Sequence, residues 1–184
     1  MTALPRRSLL GAALVSGLAA APAEPPTAWR FSFPSLDGGT LDFASFRGKV
    51  LLVVNTASFC GFTYQYEALE KLYRERGPAG LVVIGVPSTD FNQESDNNAA
   101  VKQFCELTYG VEFPMVEISH VRGKEAMPFY AWVRQERSWE PDWNFNKVLI
   151  GRDGLIKSTY RSGAEPRSPA LVAAIEQELA HPGV

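Results

Sequence analysis

Cysteine and histidine are scarce in this chain, with two of each among 184 residues: Cys60, Cys105, His120 and His181. So few scattered ligands exclude a zinc or copper site built from them. A single pair of cysteines also excludes the disulfide framework of a small cross-linked domain, so each thiol needs its own explanation. Charge of one sign is lacking too. The formal net charge is −2, which removes nucleic acid and anionic membrane surfaces as expected partners. Long apolar runs are absent as well. The stretch Leu9 to Ala21 has 13 residues, against about 20 for a membrane-spanning helix. What is present is ordinary for a globular protein, 46% hydrophobic and 21% charged, and long enough for one domain with a real core. No metal ion or organic cofactor is expected.

The first 23 residues read as an export signal and not as part of the fold. Arg6 and Arg7 supply a positive start, Leu9 to Ala21 the apolar segment, and Ala21-Pro22-Ala23 an A-x-A cleavage site. The arginine pair before Ser8-Leu9-Leu10 also fits a twin-arginine signal. Residues 24–184 are then the single mature domain. It is expected in the periplasm or otherwise outside the cytoplasm, with no stable membrane insertion after cleavage. Its 16 basic and 20 acidic residues make it mildly acidic, and the oxidising surroundings let a cysteine pair cycle.

Phe31-Ser32-Phe33 before the turn Asp37-Gly38-Gly39 predicts a small N-terminal β-hairpin. The apolar runs 50–55 and 81–86 predict strands buried on both faces. Residues 65–76 predict a helix, with Ala68, Leu69, Leu72 and Tyr73 on one face and the pairs Glu67–Lys71 and Glu70–Arg74 on another. Further helices are expected over 97–108, over 128–136 starting at Pro128, and after Ser168-Pro169. Segments 147–150 and 155–160, joined by Gly151-Arg152-Asp153-Gly154, predict an antiparallel pair. After the hairpin the order is β-α-β-α-(α)-β-β-α, an α/β class with a mixed central sheet flanked by helices. This is the order of a thioredoxin-like fold.

Cys60 lies between the strand at 50–55 and the helix that follows, a place with physical meaning. The first turn of a helix offers unpaired N–H groups and a positive dipole end, and both stabilise a thiolate, the form that attacks a peroxide oxygen. A dithiol reductase would carry a second cysteine where Thr63 stands. A one-thiol loop suits oxidation to a sulfenic acid instead.

Four blocks then resemble one known family. Asn55-Thr56-Ala57-Ser58-Phe59-Cys60-Gly61-Phe62-Thr63 resembles the peroxidatic loop N-V-A-S-x-C-G-x-T of the glutathione peroxidases. Residues Gly85 to Glu94 resemble the G-F-P-C-N-Q-F-x-x-Q-E block, one residue shorter; Tyr109 to Met115 resemble Y-G-V-x-F-P-M; and Trp143-Asn144-Phe145-Asn146-Lys147 resembles W-N-F-x-K. The blocks run in family order over about residues 30 to 160. The peroxiredoxin loop P-x-x-x-T-x-x-C is not matched, because Val53 and Ala57 stand at its proline and threonine positions.

The resemblance implies a thiol-dependent peroxidase acting on hydrogen peroxide and on organic or lipid hydroperoxides. It implies Cys60 as the nucleophile, with Trp143 and Asn144 as N–H donors to the sulfur and to the peroxide oxygen. The family's glutamine aligns with Asp90, a departure. A charged carboxylate there disfavours the thiolate, so Asp90 is expected either as a proton-transfer partner or, in a blander role, as a turn cap. Gln93 is the alternative amide donor. Cys105 falls where thioredoxin-dependent members carry a resolving cysteine, though its spacing from Val101 and Phe104 also fits a small apolar residue on a helix stripe. The reductant is expected to be a thioredoxin-like protein before glutathione, since no lysine or arginine lies between Asn55 and Glu70. Only 12 residues separate Tyr130 from Trp143, where tetrameric members carry a longer insertion, so a monomer is expected. Met127 stands where the family has a histidine. The competing readings are a redox sensor or disulfide relay without efficient turnover, and a structural thioredoxin-like protein with a static Cys60–Cys105 disulfide.

Overall fold

The computed structural model describes residues 26–182. The expected export signal lies outside the described residues. The N-terminal hairpin pairs β1 (Ser32–Pro34) with β2 (Thr40–Asp42) antiparallel. The central sheet has four strands: β3 (Val50–Thr56), β4 (Leu81–Pro87), β5 (Lys147–Ile150) and β6 (Ile156–Tyr160), in the order β4-β3-β5-β6. β3 and β4 run parallel, from Val50 opposite Leu81 to Thr56 opposite Pro87, while β5 is antiparallel to both β3 and β6. The helices are α1 (Gln65–Arg76), α2 (Asn98–Tyr109), α3 (Pro128–Arg137) and α4 (Pro169–Ala180). This is the expected thioredoxin-like order, with a mixed sheet and an N-terminal hairpin.

Every residue of β3 and of β4 is buried, as continuous apolar strands covered on both faces must be. Their alternate side chains divide between two apolar clusters. Leu51, Val53, Val82 and Ile84 join Phe43, Phe129 and Trp132. Val50, Leu52, Val54 and Val83 join Tyr66, Leu69, Val101 and Ile175 from α1, α2 and α4. Each fully buried Leu or Val contributes about 1.5–3 kcal/mol relative to exposure, so the sheet is the rigid base from which the loops at its ends project.

Several local expectations are refined. Of the two pairs expected on α1, Glu70–Arg74 is closed at 2.7 Å. Glu70 is more than a surface partner, for its other oxygen accepts the N–H groups of Glu112 (2.8 Å) and Phe113 (3.3 Å). It therefore ties the Phe113-Pro114-Met115 segment to α1. That segment runs against Gly85 of β4, where a Cβ would come within 2.9 Å of the Met115 side chain, so only glycine admits the contact. α2 starts one residue later than expected. Its cap is Asn97, which accepts the Ala100 N–H at 3.1 Å, and it ends at Gly110, left-handed with φ 61°. Ser168 holds the N-cap position of α4 without a side-chain capping bond.

Candidate active site

β3 ends at Thr56 and the chain turns through Ala57–Tyr64 before α1 begins. Cys60 lies in this turn and is 4% exposed, a free thiol. Its sulfur accepts the Phe62 N–H at 3.4 Å and its carbonyl accepts the Thr63 N–H at 3.1 Å. The turn thus delivers a backbone donor to the sulfur one turn ahead of the helix.

The Trp143–Lys147 segment is clamped against the same strand end by Asn55. The Asn55 side chain donates to the Trp143 carbonyl (2.9 Å) and accepts the Asn146 N–H (3.0 Å). The Asn55 carbonyl also accepts the Phe145 N–H at 2.6 Å. The clamp holds Phe145 at φ 59°, a left-handed backbone that is strained for an aromatic residue and persists only when its surroundings impose it. The Phe145 ring is fully buried, edge-on to Tyr66 with centroids 5.2 Å apart. Asn144 is fully buried, whereas Trp143 is 40% exposed and rests on Phe91 with centroids 5.5 Å apart.

The structure brings Gln93 and Asn144 together. The Asn144 amide donates to the Gln93 side-chain oxygen at 3.0 Å, and the Gln93 carbonyl accepts the N–H of Phe59, next to Cys60, at 2.9 Å. Asp90, first choice for the glutamine position by direct alignment, is engaged elsewhere. One carboxylate oxygen meets His120 Nδ1 at 2.6 Å, and the other accepts the N–H groups of Val121 (2.7 Å) and Arg122 (3.2 Å). That pairing raises His120 above its usual titration range. Every side-chain bond of Asp90 is thus directed into the 120–122 loop, while Gln93 is the side chain that meets Asn144. Asn92 at φ 55° turns the chain between the two.

Cys105 is a free thiol, buried on α2. Both cysteines belong to the same apolar cluster. Burial pushes the Cys105 thiol up to about 11, with the Tyr66 hydroxyl opposing. An open groove of about 340 Å³ runs between the Cys60 turn and α2, lined by Ser58, Phe59, Phe104 and Leu107 among others. Phe59 and Leu107 are 69% and 77% exposed. A second pocket, of about 260 Å³, reaches Cys105 beside Leu36, Lys102 and Met115.

Sequence reasoning gave no role to three residues inside its own motifs. Asn55 opens the cysteine motif and holds the tryptophan segment. Lys147 closes that segment, with its ammonium buried against Gln65 Oε1 (2.5 Å) and the carbonyls of Phe145 (2.9 Å) and Ser162 (3.5 Å). Glu94 follows Gln93. Their positions at the ends of motifs were the available signal. Among the described residues, no cluster of three or more metal-ligating side chains occurs.

The family model for glutathione peroxidase matches residues 28–134. Among characterised relatives, a glutathione peroxidase of Lactococcus lactis subsp. cremoris is 43% identical over 141 residues, 74% of this chain and 90% of that one. A hydroperoxy fatty acid reductase of Synechocystis sp. is 39% identical over 164 residues, 83% of this chain and 96% of that one. The crystal structure of Trgpx in apo form superposes with a TM-score of 0.71 at 32% identity, covering 87% of this chain and all of that one.

Proposed function

Because the chain belongs to the glutathione peroxidase family and is a thiol peroxidase, we propose that Cys60 attacks the terminal oxygen of a hydroperoxide and that Gln93, Asn144 and Trp143 surround its reaction. The observation that carries this reading is the Asn144–Gln93 hydrogen bond beside the Cys60 turn. With its oxygen taken by Asn144, Gln93 keeps its amide N–H groups for donation, and Trp143 adds an indole N–H. Donors at this place stabilise a thiolate and the departing alkoxide or hydroxide. Cys60 becomes a sulfenic acid as the peroxide is reduced to an alcohol or water. Asp90 holds the 120–122 loop and takes no part.

The substrates of this reading are hydrogen peroxide and organic or lipid hydroperoxides. The exposed apolar groove along Phe59, Phe104 and Leu107 supports the bulky ones. Cys105 resolves the sulfenic acid as a disulfide, which a thioredoxin-like protein reduces. The absence of lysine and arginine from the Cys60 turn favours that donor over anionic glutathione. The full chain is exported through residues 1–23 and the mature protein is a monomer, a reading supported by sequence alone; mass measurement of the exported protein should give a start after Ala23.

The test is steady-state peroxide consumption with glutathione and with a thioredoxin-like donor, side by side, for the wild type, Cys60→Ser and Cys105→Ser. Cys60→Ser should be inactive with both donors. Cys105→Ser should lose turnover with the thioredoxin-like donor; full retention would make Cys105 a packing residue and the enzyme a one-cysteine peroxidase. Oxidation of Cys60 without turnover on any donor would point to a redox sensor instead.

A further inference from the structure

Three successive carbonyls of the tryptophan segment are each held by side-chain donors. The Trp143 carbonyl accepts the Asn55 and Asn146 amides (2.9 and 2.6 Å), and the Phe145 carbonyl accepts the Lys147 ammonium (2.9 Å). Between them, the Asn144 carbonyl accepts the Ser162 hydroxyl at 2.6 Å. Asn55, Asn146 and Lys147 belong to the motif blocks. Ser162 follows β6 and lies beyond all of them. It is 7% exposed, and both of its oxygens are engaged. The hydroxyl also accepts the Asn146 amide at 3.3 Å, and the carbonyl accepts the Gln65 side-chain amide at 2.8 Å. Gln65 is the fully buried first residue of α1, and its backbone N–H donates to the Phe62 carbonyl at 2.9 Å.

These bonds close a ring on the Cys60 turn. It runs from Phe62 to Gln65, to Ser162, to Asn144, to Gln93 and back to Phe59. Cys60 sits in the covalent stretch Phe59–Phe62 that completes it. Asn144 needs this support. Its side chain makes one bond, to Gln93, and its Oδ1 finds no hydrogen-bond partner among the described residues. The aim of the amide therefore depends on the backbone that carries it. That backbone leads into Phe145 at φ 59°, a conformation that persists only where its surroundings impose it. Asn55 fixes the peptides on either side, and Ser162 is the donor that holds the Asn144 carbonyl itself.

Resting on the reading that Asn144 and Gln93 serve the reaction of Cys60 with peroxide, we propose that Ser162 is a positioning residue for that step. Its hydroxyl, anchored to the start of α1 through Gln65, sets where the Asn144 amide stands relative to the Cys60 turn. Ser162 acts through Asn144 and supplies no donor of its own to the reacting atoms. A misplacement of about 1 Å in such a group costs on the order of 10²-fold in rate, and the loss of one hold among several costs a part of that.

The test is rapid mixing of the full mature chain with hydrogen peroxide, with the Cys60 sulfenic acid trapped by dimedone. Alkylation of Cys60 by iodoacetamide is measured beside it. Alkylation needs the thiolate, but iodide leaves without help from a hydrogen-bond donor. Ser162→Ala should slow sulfenic acid formation roughly tenfold and leave alkylation within about twofold of wild type. Ser162→Thr should restore the peroxide rate. Ser162→Val, which has the shape of threonine without the hydroxyl, should behave as alanine does, so the test survives if one variant does not fold. Because Ser162 acts through Asn144, adding Ser162→Ala to Asn144→Ala should cost nothing further. A wild-type peroxide rate in Ser162→Ala or Ser162→Val overturns the proposal, and so do equal rates in Ser162→Thr and Ser162→Val. An equal loss in alkylation, or a full further loss on top of Asn144→Ala, also overturns it, because general loosening of the turn would give either. If Asn144→Ala itself forms sulfenic acid at the wild-type rate, the reading beneath the proposal fails, and that outcome is distinct from the others.

Discussion

Replacing Lys147 by methionine probes the floor of the active site. The ammonium is fully buried and held by three neutral oxygens, with no carboxylate within ion-pair distance. Burial brings it from its usual 10.5 down to about 8, with Glu165 opposing. At 1.36 kcal/mol per pKa unit, that displacement disfavours the charged form in the fold by about 3 kcal/mol. The sign follows from proton counts. At neutral pH both states are protonated and the whole penalty is present. Between about 8 and 10.5 the unfolded chain holds more protons than the native one, so this group makes the protein more stable as pH rises. Above that window the penalty is gone. Lys147→Met removes the titration and takes the donor from Gln65 Oε1 and the Phe145 carbonyl at every pH, while the Ser162 carbonyl keeps the Gln65 amide. The wild-type stability minus that of Lys147→Met should therefore increase by about 3 kcal/mol from neutral pH to about 10.5, while tyrosine ionisation cancels in the difference. Urea unfolding followed by tryptophan fluorescence at stepped pH measures it. A difference that is flat with pH would refute the reasoning, because it would mean that the ammonium is solvated or paired in the fold.

Asn55→Ala removes two buried side-chain bonds to the tryptophan segment. It should cost about 2–4 kcal/mol by urea unfolding and lower peroxide turnover, since Trp143 and Asn144 lose their clamp. Gln93→Ala should slow sulfenic acid formation by roughly 10²-fold, as loss of a donor to developing charge does. Asp90→Asn should leave that step near wild type and cost about 1–2 kcal/mol through the His120 and Val121 contacts; the reverse order in stopped-flow assays would return the role to Asp90. Amide exchange by mass spectrometry should find residues 98–109 opening more readily than β3 and β4, and equal protection would argue against local unwinding of α2.

The order of elements was legible because β3 and β4 are unbroken apolar runs and because Pro128 and Ser168-Pro169 mark helix starts. The cysteine and its partner motifs were legible as local strings. The choice between Asp90 and Gln93 was not, since alignment counts residues while the left-handed turn at Asn92 decides which side chain faces Asn144. Nor could sequence show that Asp90 has its own partner thirty residues on in His120. The Asn55 clamp and the buried Lys147 depend on pairings across more than 80 residues, a separation over which neither periodicity nor spacing carries information.

In the proposed resolving role Cys105 faces two opposed demands, and the construction of α2 answers both. At rest Cys105 must stay protonated and inert, which deep burial achieves by pushing it to about 11. Once Cys60 is oxidised, Cys105 must leave that burial and reach the Cys60 turn. A helix locked into the core by a full apolar stripe could not let it go. α2 buries only Val101 and Cys105 of its 12 residues, whereas α1, of equal length, buries five. Releasing the segment gives up the full burial of one valine, about 1.5–3 kcal/mol, and the partial packing of Phe104 and Tyr109 against the same cluster, beyond the thiol that has to move. The caps at Asn97 and Gly110 define where it comes away and where it re-forms, and the open groove beside Phe104 and Leu107 gives it room on the side of the Cys60 turn. The Val101→Ala variant turns this into a measurement. It should loosen α2 further, and it should speed disulfide formation after oxidation if opening limits that step. An unchanged disulfide rate alongside faster amide exchange would place the limit in proton transfer from Cys105 instead.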